Sequence, residues 1–221
     1  GTVAADRPVL AEEIVIVGPA PPELRNEFVL ARVLVLLLGV LQHAGHAEAI
    51  LVATGSHPQQ PTGIEVDGSI IVDSDSLLTL QKIPRRMIVI GGGVIGCEYA
   101  CIFAALGVKV TIINSKSRLL AHLDAEVGET LRQMMTARLD ISVHVNLEVK
   151  EIAVEDGHAR VSLSDDSRLY SDVVLFSAGR LGNTEGLGLA ELGVECNQRG
   201  YIQVDEHYCT AVSTIYAVGD V

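Results

Sequence analysis

Short apolar runs recur along the chain and are separated by turn-forming residues, a pattern typical of a protein built on buried strands. Three runs rich in β-branched residues, at 87–90, 108–113 and 173–176, predict strands of a parallel sheet that is buried on both faces. Asp156-Gly157 predicts a hairpin, and Asp165-Asp166 predicts a further turn. The other predicted strands are 14–17, 49–54, 70–72, 141–145, 149–154, 159–163, 202–204 and 214–218.

Helices are predicted where end signals and apolar spacing agree. One runs over 94–106 and is followed by Gly107, the residue that helices favour just past their last turn. A short helix is predicted within DSDSLLTL (73–80), whose acidic and serine residues can cap it. A third helix begins after Asp124. Its predicted apolar side, with both methionines in the core, consists of Leu131, Met134, Met135 and Leu139.

Three glycines lie between the strand at 87–90 and the helix at 94–106. Gly91, Gly93 and Gly96 have the spacing G-x-G-x-x-G, and a second strand follows the helix. The first glycine allows a tight turn, the second allows a pyrophosphate to reach the backbone, and the third allows the helix to pack closely on the sheet. The amide groups and the positive dipole end of the helix would then face the phosphates. The pattern predicts a dinucleotide-binding βαβ unit rather than a glycine turn without a ligand.

Composition and charge narrow the possible partners. The 221 residues are 48% hydrophobic and carry 16 basic against 28 acidic side chains, a net charge of −12. This balance argues against a nucleic-acid partner and against an anionic membrane surface. The four cysteines form no C-x-x-C and the seven histidines are scattered, so we predict no metal site and reduced thiols.

The first 47 residues carry the weakest signals. The apolar run 28–41 is too short to span a bilayer and contains Arg32, so a buried helix or strand is predicted there. A possible second cofactor loop after the strand at 14–17 is rejected because prolines occupy its turn and proline has no N–H for a phosphate.

Four motifs occur in an order that resembles a known family. They are ATGSHP (53–58), the glycine unit GGGVIGCEYA (91–100), SAGRLGNT (177–184) and TIYAVGD (214–220). This order resembles the two-dinucleotide-binding-domain flavoproteins of the pyridine nucleotide-disulfide oxidoreductase family. The resemblance implies an α/β fold, Rossmann-like and FAD/NAD(P)-binding, with a central parallel sheet and a β-meander crossover. It also implies a partial FAD-domain segment at 1–72 (with 1–47 unassigned), an NAD(P)-binding domain at 73–183, and a truncated return to the FAD domain at 184–221.

Within the family, the segment 93–120 is most similar to members that exchange hydride between NADPH and NAD. The implied cofactors are FAD, NAD and NADP, and no residue need act as an acid, a base or a nucleophile. The alternatives are a related flavoprotein disulfide reductase, or a binding fragment without turnover. The resemblance further implies a cytoplasmic homo-oligomer, formed through an interface domain that this sequence lacks. Because the FAD-domain glycine motif is also missing, we expect this chain alone to hold FAD weakly and to be inactive.

The resemblance assigns binding roles to individual residues. Glu98 and Gly179 would lie on the nicotinamide side, although a glutamate in the first turns of a helix is equally expected from the dipole alone. On the flavin side, the residues implied to contact FAD are Thr54, Gly55 and Asp220.

Asn114 occupies the position at the end of the second strand where NAD-specific units carry an acidic residue for the ribose 2′-OH. Asparagine has no charge with which to reject a 2′-phosphate. Lys116 and Arg118 follow, and either could pair with that phosphate or be a solvated loop charge. We therefore expect both NAD(H) and NADP(H) to bind, and we expect Asn114→Glu to weaken NADP(H) selectively.

Overall fold

The computed structural model describes residues 14–17, 49–61 and 63–221, and the predicted element at 28–41 lies outside these residues. The described chain forms two compact units. One contains the described residues up to His57 together with Arg180–Val221, and the other is Pro58–Gly179. In chain order the strands are β1 (Ile14–Val17), β2 (Ala49–Val52), β3 (Ser56–Pro58), β4 (Ile71–Val72), β5 (Arg86–Ile90), β6 (Lys109–Asn114), β7 (Ser142–Val145), β8 (Val149–Glu155), β9 (His158–Leu163), β10 (Arg168–Ser171), β11 (Val173–Phe176), β12 (Arg180–Gly182) and β13 (Ile215–Ala217). Within the described residues the helices are α1 (Val94–Ala105), α2 (Ala125–Leu139) and a 3-10 turn at Ser76–Thr79.

The unit Pro58–Gly179 is built on a five-stranded parallel sheet of order β4–β11–β5–β6–β7. Alternate residues of β5 enter different cores, because successive side chains of a strand point to opposite faces. Met87 and Val89 pack with residues of α1 and α2, whereas Ile88 and Ile90 pack with residues of β8 and β9. The sheet is thus covered on both faces, as its continuous apolar runs predict.

Strands β8, β9 and β10 form an antiparallel meander. Asp156 and Gly157 turn between β8 and β9 with φ of 50° and 77°, the left-handed values that a two-residue hairpin requires. Asp166 turns between β9 and β10 with φ of 67°. The meander precedes β11, which returns to the parallel sheet beside β5. The predicted fold class, a Rossmann-like parallel sheet with a β-meander crossover, is confirmed.

The other unit contains a parallel sheet of order β1–β2–β13 and a two-stranded ladder of β3 and β12. Val52 of β2 and Ile215 and Ala217 of β13 belong to its core. A strand predicted at 202–204 is wrong: Ile202 makes only an isolated bridge to Cys196. Ile202 is buried as a single side chain in a loop, whereas Val204 is exposed, so the apolar pattern there does not come from a paired strand.

The helices begin and end close to the predicted residues. Gly107 follows α1 with φ of 87° and donates its N–H to Ala104 O at 2.9 Å. On α2, Met135 is buried, but Met134 is 48% exposed, so its predicted place in the core is wrong. Residues 131, 135 and 139 are spaced by four and share one face, from which position 134 is turned away. Among the described helices, none is long and apolar enough to cross a membrane.

Candidate dinucleotide-binding site

The turn between β5 and α1 is shaped by close backbone packing at two glycines. Gly91 has φ of 114°, and a Cβ placed on it would lie 2.6 Å from the carbonyl oxygen of Ser177. A Cβ on Gly96 would overlap the carbonyl oxygen of Gly91 and lie 2.8 Å from Ser177 Oγ. These positions therefore require glycine for the helix to approach the strand ends.

Gly93 differs from its two neighbours in the motif. It is the N-cap residue of α1, and a Cβ placed on it would meet no atom of the described residues within 4 Å. None of the described side chains caps the helix, and its first intrahelical bond runs from Cys97 N–H to Gly93 O at 3.0 Å. The amides of the first turn thus lack helical acceptors, as at every helix start, and lie beside open space. Open space at a helix N-terminus is what a phosphate group needs.

Asn114, the last residue of β6, has its side chain turned towards the glycine turn. It is 5% exposed, and its Oδ1 accepts the Gly92 N–H at 3.1 Å. Its Nδ2 donates to the carbonyl oxygens of Lys116 at 3.1 Å and of Arg118 at 2.9 Å. Both amide protons are therefore used within the protein. Asn114 lies at the strand end where the sequence predicts it, but the sequence does not reveal these contacts.

The two cations that follow differ in their contacts. Arg118 Nη2 donates to the carbonyl oxygens of Ala121 at 3.0 Å and of Leu123 at 3.3 Å. The Lys116 ammonium is exposed, and within the described part of the chain no hydrogen bond or ion pair is found for it. Lys116 is consequently the more available partner for an anion.

The two residues expected on the nicotinamide side also belong to this unit. Glu98 is exposed on the second turn of α1. Gly179 has φ of 155°, and its carbonyl oxygen accepts the Gln59 N–H at 3.0 Å. A Cβ at Gly179 would lie 2.8 Å from Gln59 Oε1, the end of a side chain that can move, so it is the positive φ rather than this contact that favours glycine.

In the other unit, the residues expected to contact FAD follow two adjacent parallel strands, β2 and β13. Their carboxyl ends lie at one edge of the sheet, where α/β folds bind ligands. The Thr54 hydroxyl is buried and has no hydrogen-bond partner among the described residues, and Gly55 has φ of 71°. Asp220 accepts a short hydrogen bond from Ser56 Oγ and lies 3.6 Å from Arg180 Nε. A buried hydroxyl without a partner among the described residues, and a carboxylate at the same edge of the sheet, fit a polyhydroxyl ligand such as FAD.

Two supporting residues bind the backbone of this edge. Asn183 donates its Nδ2 to Thr54 O at 2.8 Å, and its N–H to Gly55 O at 2.9 Å. Arg180 donates its Nε to Ser56 Oγ at 2.6 Å and its Nη2 to Ser56 O at 2.7 Å. The sequence argument did not assign Arg180; the only signal for it was its place in SAGRLGNT.

Two other features do not belong to the site. A cavity of about 780 Å³ near the amino ends of β5 and β11 is lined by Lys82, Arg86 and Asp172, among others, and by none of the predicted cofactor residues. Burial raises the pKa of the Cys97 thiol to about 11, which makes it a poor nucleophile. No cluster that could hold a metal ion is found among the residues that the structure describes.

Sequence comparison identifies a family and its relatives. A family model described as pyridine nucleotide-disulphide oxidoreductase matches residues 39–221. Soluble pyridine nucleotide transhydrogenases of Stutzerimonas stutzeri and Azotobacter vinelandii are each 42% identical over 175 residues, or 79% of this chain. The matched region is 38% of the length of each of these relatives.

Solved structures show the same fold. LpdA from Mycobacterium tuberculosis matches with a TM-score of 0.72 and 30% identity, covering 79% of this chain and 38% of that one. The HOCl-induced flavoprotein disulfide reductase RclA from Escherichia coli, as its Cu(II) complex, matches with a TM-score of 0.71 and 30% identity, covering 79% and 40%.

Proposed function

The chain belongs to the pyridine nucleotide-disulphide oxidoreductase family, and on this premise we propose that it is the NAD(P)-binding portion of a flavoenzyme that transfers hydride between NADPH and NAD. In this proposal residues 73–183 bind the nicotinamide nucleotide, while residues up to 72 and residues 184–221 belong to the FAD domain. The 42% identity to soluble transhydrogenases supports this activity over others in the family. The substrates are NAD(H) and NADP(H).

The observation that carries the proposal is the contrast among the three motif glycines. Gly91 and Gly96 are packed against backbone, whereas Gly93 borders open space at the start of α1. A glycine turn that served packing alone would need no open space at its middle position. The same turn offers amides and a positive dipole end to a pyrophosphate.

The chain's own residues bind and orient rather than react. The first turn of α1 would hold the pyrophosphate, and Glu98 and Gly179 would position the nicotinamide half. Thr54, Gly55 and Asp220 would hold FAD, with the Thr54 hydroxyl and the Asp220 carboxylate bonding its polar groups. Bound FAD supplies the two-electron carrier that links the two nicotinamide nucleotides. No side chain of this chain is assigned as an acid, a base or a nucleophile.

We propose that both nucleotides are accepted because β6 ends without an acidic side chain. Asn114 brings no negative charge to the ribose 2′ position, so a 2′-phosphate meets no repulsion there. Lys116 supplies a free cation nearby, whereas Arg118 is held by two carbonyl oxygens. The earlier expectation for Asn114→Glu must change, because a longer charged side chain would break buried hydrogen bonds as well as repel phosphate.

The experiment has a binding part and a turnover part. NADH and NADPH are titrated into the 221-residue chain, and the full-length parent enzyme is assayed for hydride transfer from NADPH to thio-NAD. We expect both nucleotides to bind and the parent to turn over. If neither NADH nor NADPH binds, the proposed nucleotide site is refuted. If the chain binds the nucleotides but the parent enzyme does not transfer hydride to thio-NAD, only the proposed reaction is refuted.

The likeness to RclA, a flavoprotein disulfide reductase, favours a second candidate, reduction of a disulfide through the same cofactors. The parent enzyme distinguishes the two. A transhydrogenase reduces thio-NAD without a disulfide substrate, whereas a disulfide reductase consumes NAD(P)H only when a disulfide is added.

We also expect the 221-residue chain to elute from gel filtration without stoichiometric flavin absorbance.

A further inference from the structure

We propose that Asn114 is a positioning residue that joins the glycine turn and the loop after β6, so that the phosphate-binding and ribose-binding segments are held in one arrangement. This inference rests on the proposed nucleotide site. It gives Asn114 a role other than direct contact with the ribose of the nucleotide, for which the side chain would have to point outward to the ligand. In the structure it points inward and bonds both protein segments.

The hydrogen bonds define the connection. Asn114 Oδ1 accepts from Gly92 N–H, and the two Nδ2 protons go to the carbonyl oxygens of Lys116 and Arg118. Only an amide provides one acceptor and two donors in this geometry, because a carboxylate has no donor and a hydroxyl has only one. The side chain is 5% exposed, so water cannot readily replace a lost partner.

The packing around Gly92 makes the connection tight. A Cβ on Gly92 would lie 2.8 Å from Asn114 Cγ and 2.6 Å from Leu119 Cδ2. Gly92 O also accepts the Leu120 N–H at 2.8 Å. Gly92 therefore has to be glycine for Asn114 to contact it. It occupies the first x position of G-x-G-x-x-G, where the motif itself does not require glycine.

The loop after β6 is held from its other side by backbone bonds. Asn146 N–H donates to Lys116 O at 3.1 Å, and Leu147 N–H donates to Asn114 O at 3.2 Å. Lys116 O therefore receives donors from both Asn114 and Asn146. With these anchors in place, the Lys116 ammonium extends from a fixed backbone, which lowers the entropy that a 2′-phosphate contact would cost.

Asn114→Asp separates the two interpretations. If Asn114 touched the ribose, aspartate would keep or improve NADH binding and exclude NADPH. If Asn114 holds the two segments, a carboxylate facing two carbonyl oxygens weakens both nucleotides by a similar factor, about tenfold at pH 8. Binding of NADH should then recover towards pH 5.5, because the protonated carboxyl regains a donor and burial beside carbonyl dipoles favours its neutral form.

Asn146→Asp is the matched control. It adds the same charge beside the same loop and leaves the bond from the backbone N–H of residue 146 to Lys116 O in place, since aspartate tolerates the left-handed φ of 55° that Asn146 adopts. Asn146 is exposed, so we expect unchanged NADH affinity at both pH values. Equal losses in the two variants would show that added charge alone weakens binding and would overturn the proposal, as would NADH binding by Asn114→Asp that is improved or independent of pH.

Amide hydrogen exchange tests the connection without any nucleotide. In Asn114→Ala, exchange should accelerate both at Gly92 and at Leu120, Asn146 and Leu147, whose N–H groups bond Gly92 O, Lys116 O and Asn114 O, with little change in β11. Acceleration at Gly92 alone would overturn the proposal. If the wild-type chain binds neither nucleotide, the proposed function fails, but exchange at these two segments still decides whether Asn114 joins them.

Discussion

Gly93→Ala and Gly96→Ala form a pair of substitutions whose effects should separate binding from folding. Each adds one methyl group to the same turn. At position 93 the methyl enters open space, at φ −80° and ψ −175°, which alanine adopts without strain. At position 96 it would overlap the carbonyl oxygen of Gly91. The first variant should keep nearly its full stability, and the second should be clearly less stable.

The magnitudes follow from these contacts. Alanine is a poorer N-cap than glycine, but it lowers the entropy of the unfolded chain, so Gly93→Ala should change stability by no more than about 1 kcal/mol. A methyl group between a pyrophosphate and the backbone removes charge-assisted amide bonds, which weakens nucleotide binding by about 10-fold to 100-fold. Gly96→Ala forces a helix away from a strand end and should cost about 2–3 kcal/mol, or about 5–10 °C in Tm.

The assay measures both quantities on both variants. Thermal unfolding followed by circular dichroism gives Tm, and titration with NADH and NADPH gives Kd. Normal nucleotide binding by Gly93→Ala would refute the argument, because it would mean that no phosphate approaches that backbone. A stable Gly96→Ala would show that the helix can move away from Gly91 at little cost.

Three further predictions concern single side chains. Lys116→Ala should raise the Kd of NADPH about fivefold and leave the Kd of NADH unchanged. The difference between wild type and variant should disappear in 1 M salt, where charges are screened within about 3 Å. Equal losses of affinity for both nucleotides in a titration would contradict this prediction. Asp73→Ala should lower the free energy of unfolding at pH 7 by about 2 kcal/mol, because Asp73 is 7% exposed and accepts bonds from Gln60, Asp75 and Ser76. Burial alone would raise the pKa of Asp73, but these bonds outweigh it and lower the pKa, so this stabilisation is present above about pH 4 and is lost as the pH falls through the folded value. A urea-unfolding difference that does not shrink as the pH is lowered below about 4 would contradict this prediction. Cys97, with its raised pKa, should stay unlabelled by a thiol reagent at pH 7.5 while exposed Cys196 reacts, as mass spectrometry of the labelled native chain would show.

The sequence was sufficient where the chemistry is local. The glycine spacing, the cap at Gly107 and the Asp156-Gly157 hairpin depend on neighbouring residues, and the structure has each of these turns as expected. Met134 was misplaced because a helix face depends on which neighbours pack against it. The orientation of Asn114 was missed for a similar reason. Its partner Gly92 is 22 residues away, and the strand-end position alone does not say whether an amide faces the ligand or the protein.

The path of the chain at the two ends of the unit Pro58–Gly179 has a practical consequence. Gln59, next to its first residue, donates its N–H to the carbonyl oxygen of Gly179, its last residue, at 3.0 Å. Because the two ends of this segment are adjacent, its insertion into a host chain costs little loop-closure entropy. Chain breaks are tolerated best where few contacts are cut. Residues 58–179 are accordingly a natural module for excision, transplantation or circular permutation through a short linker between Gly179 and Pro58.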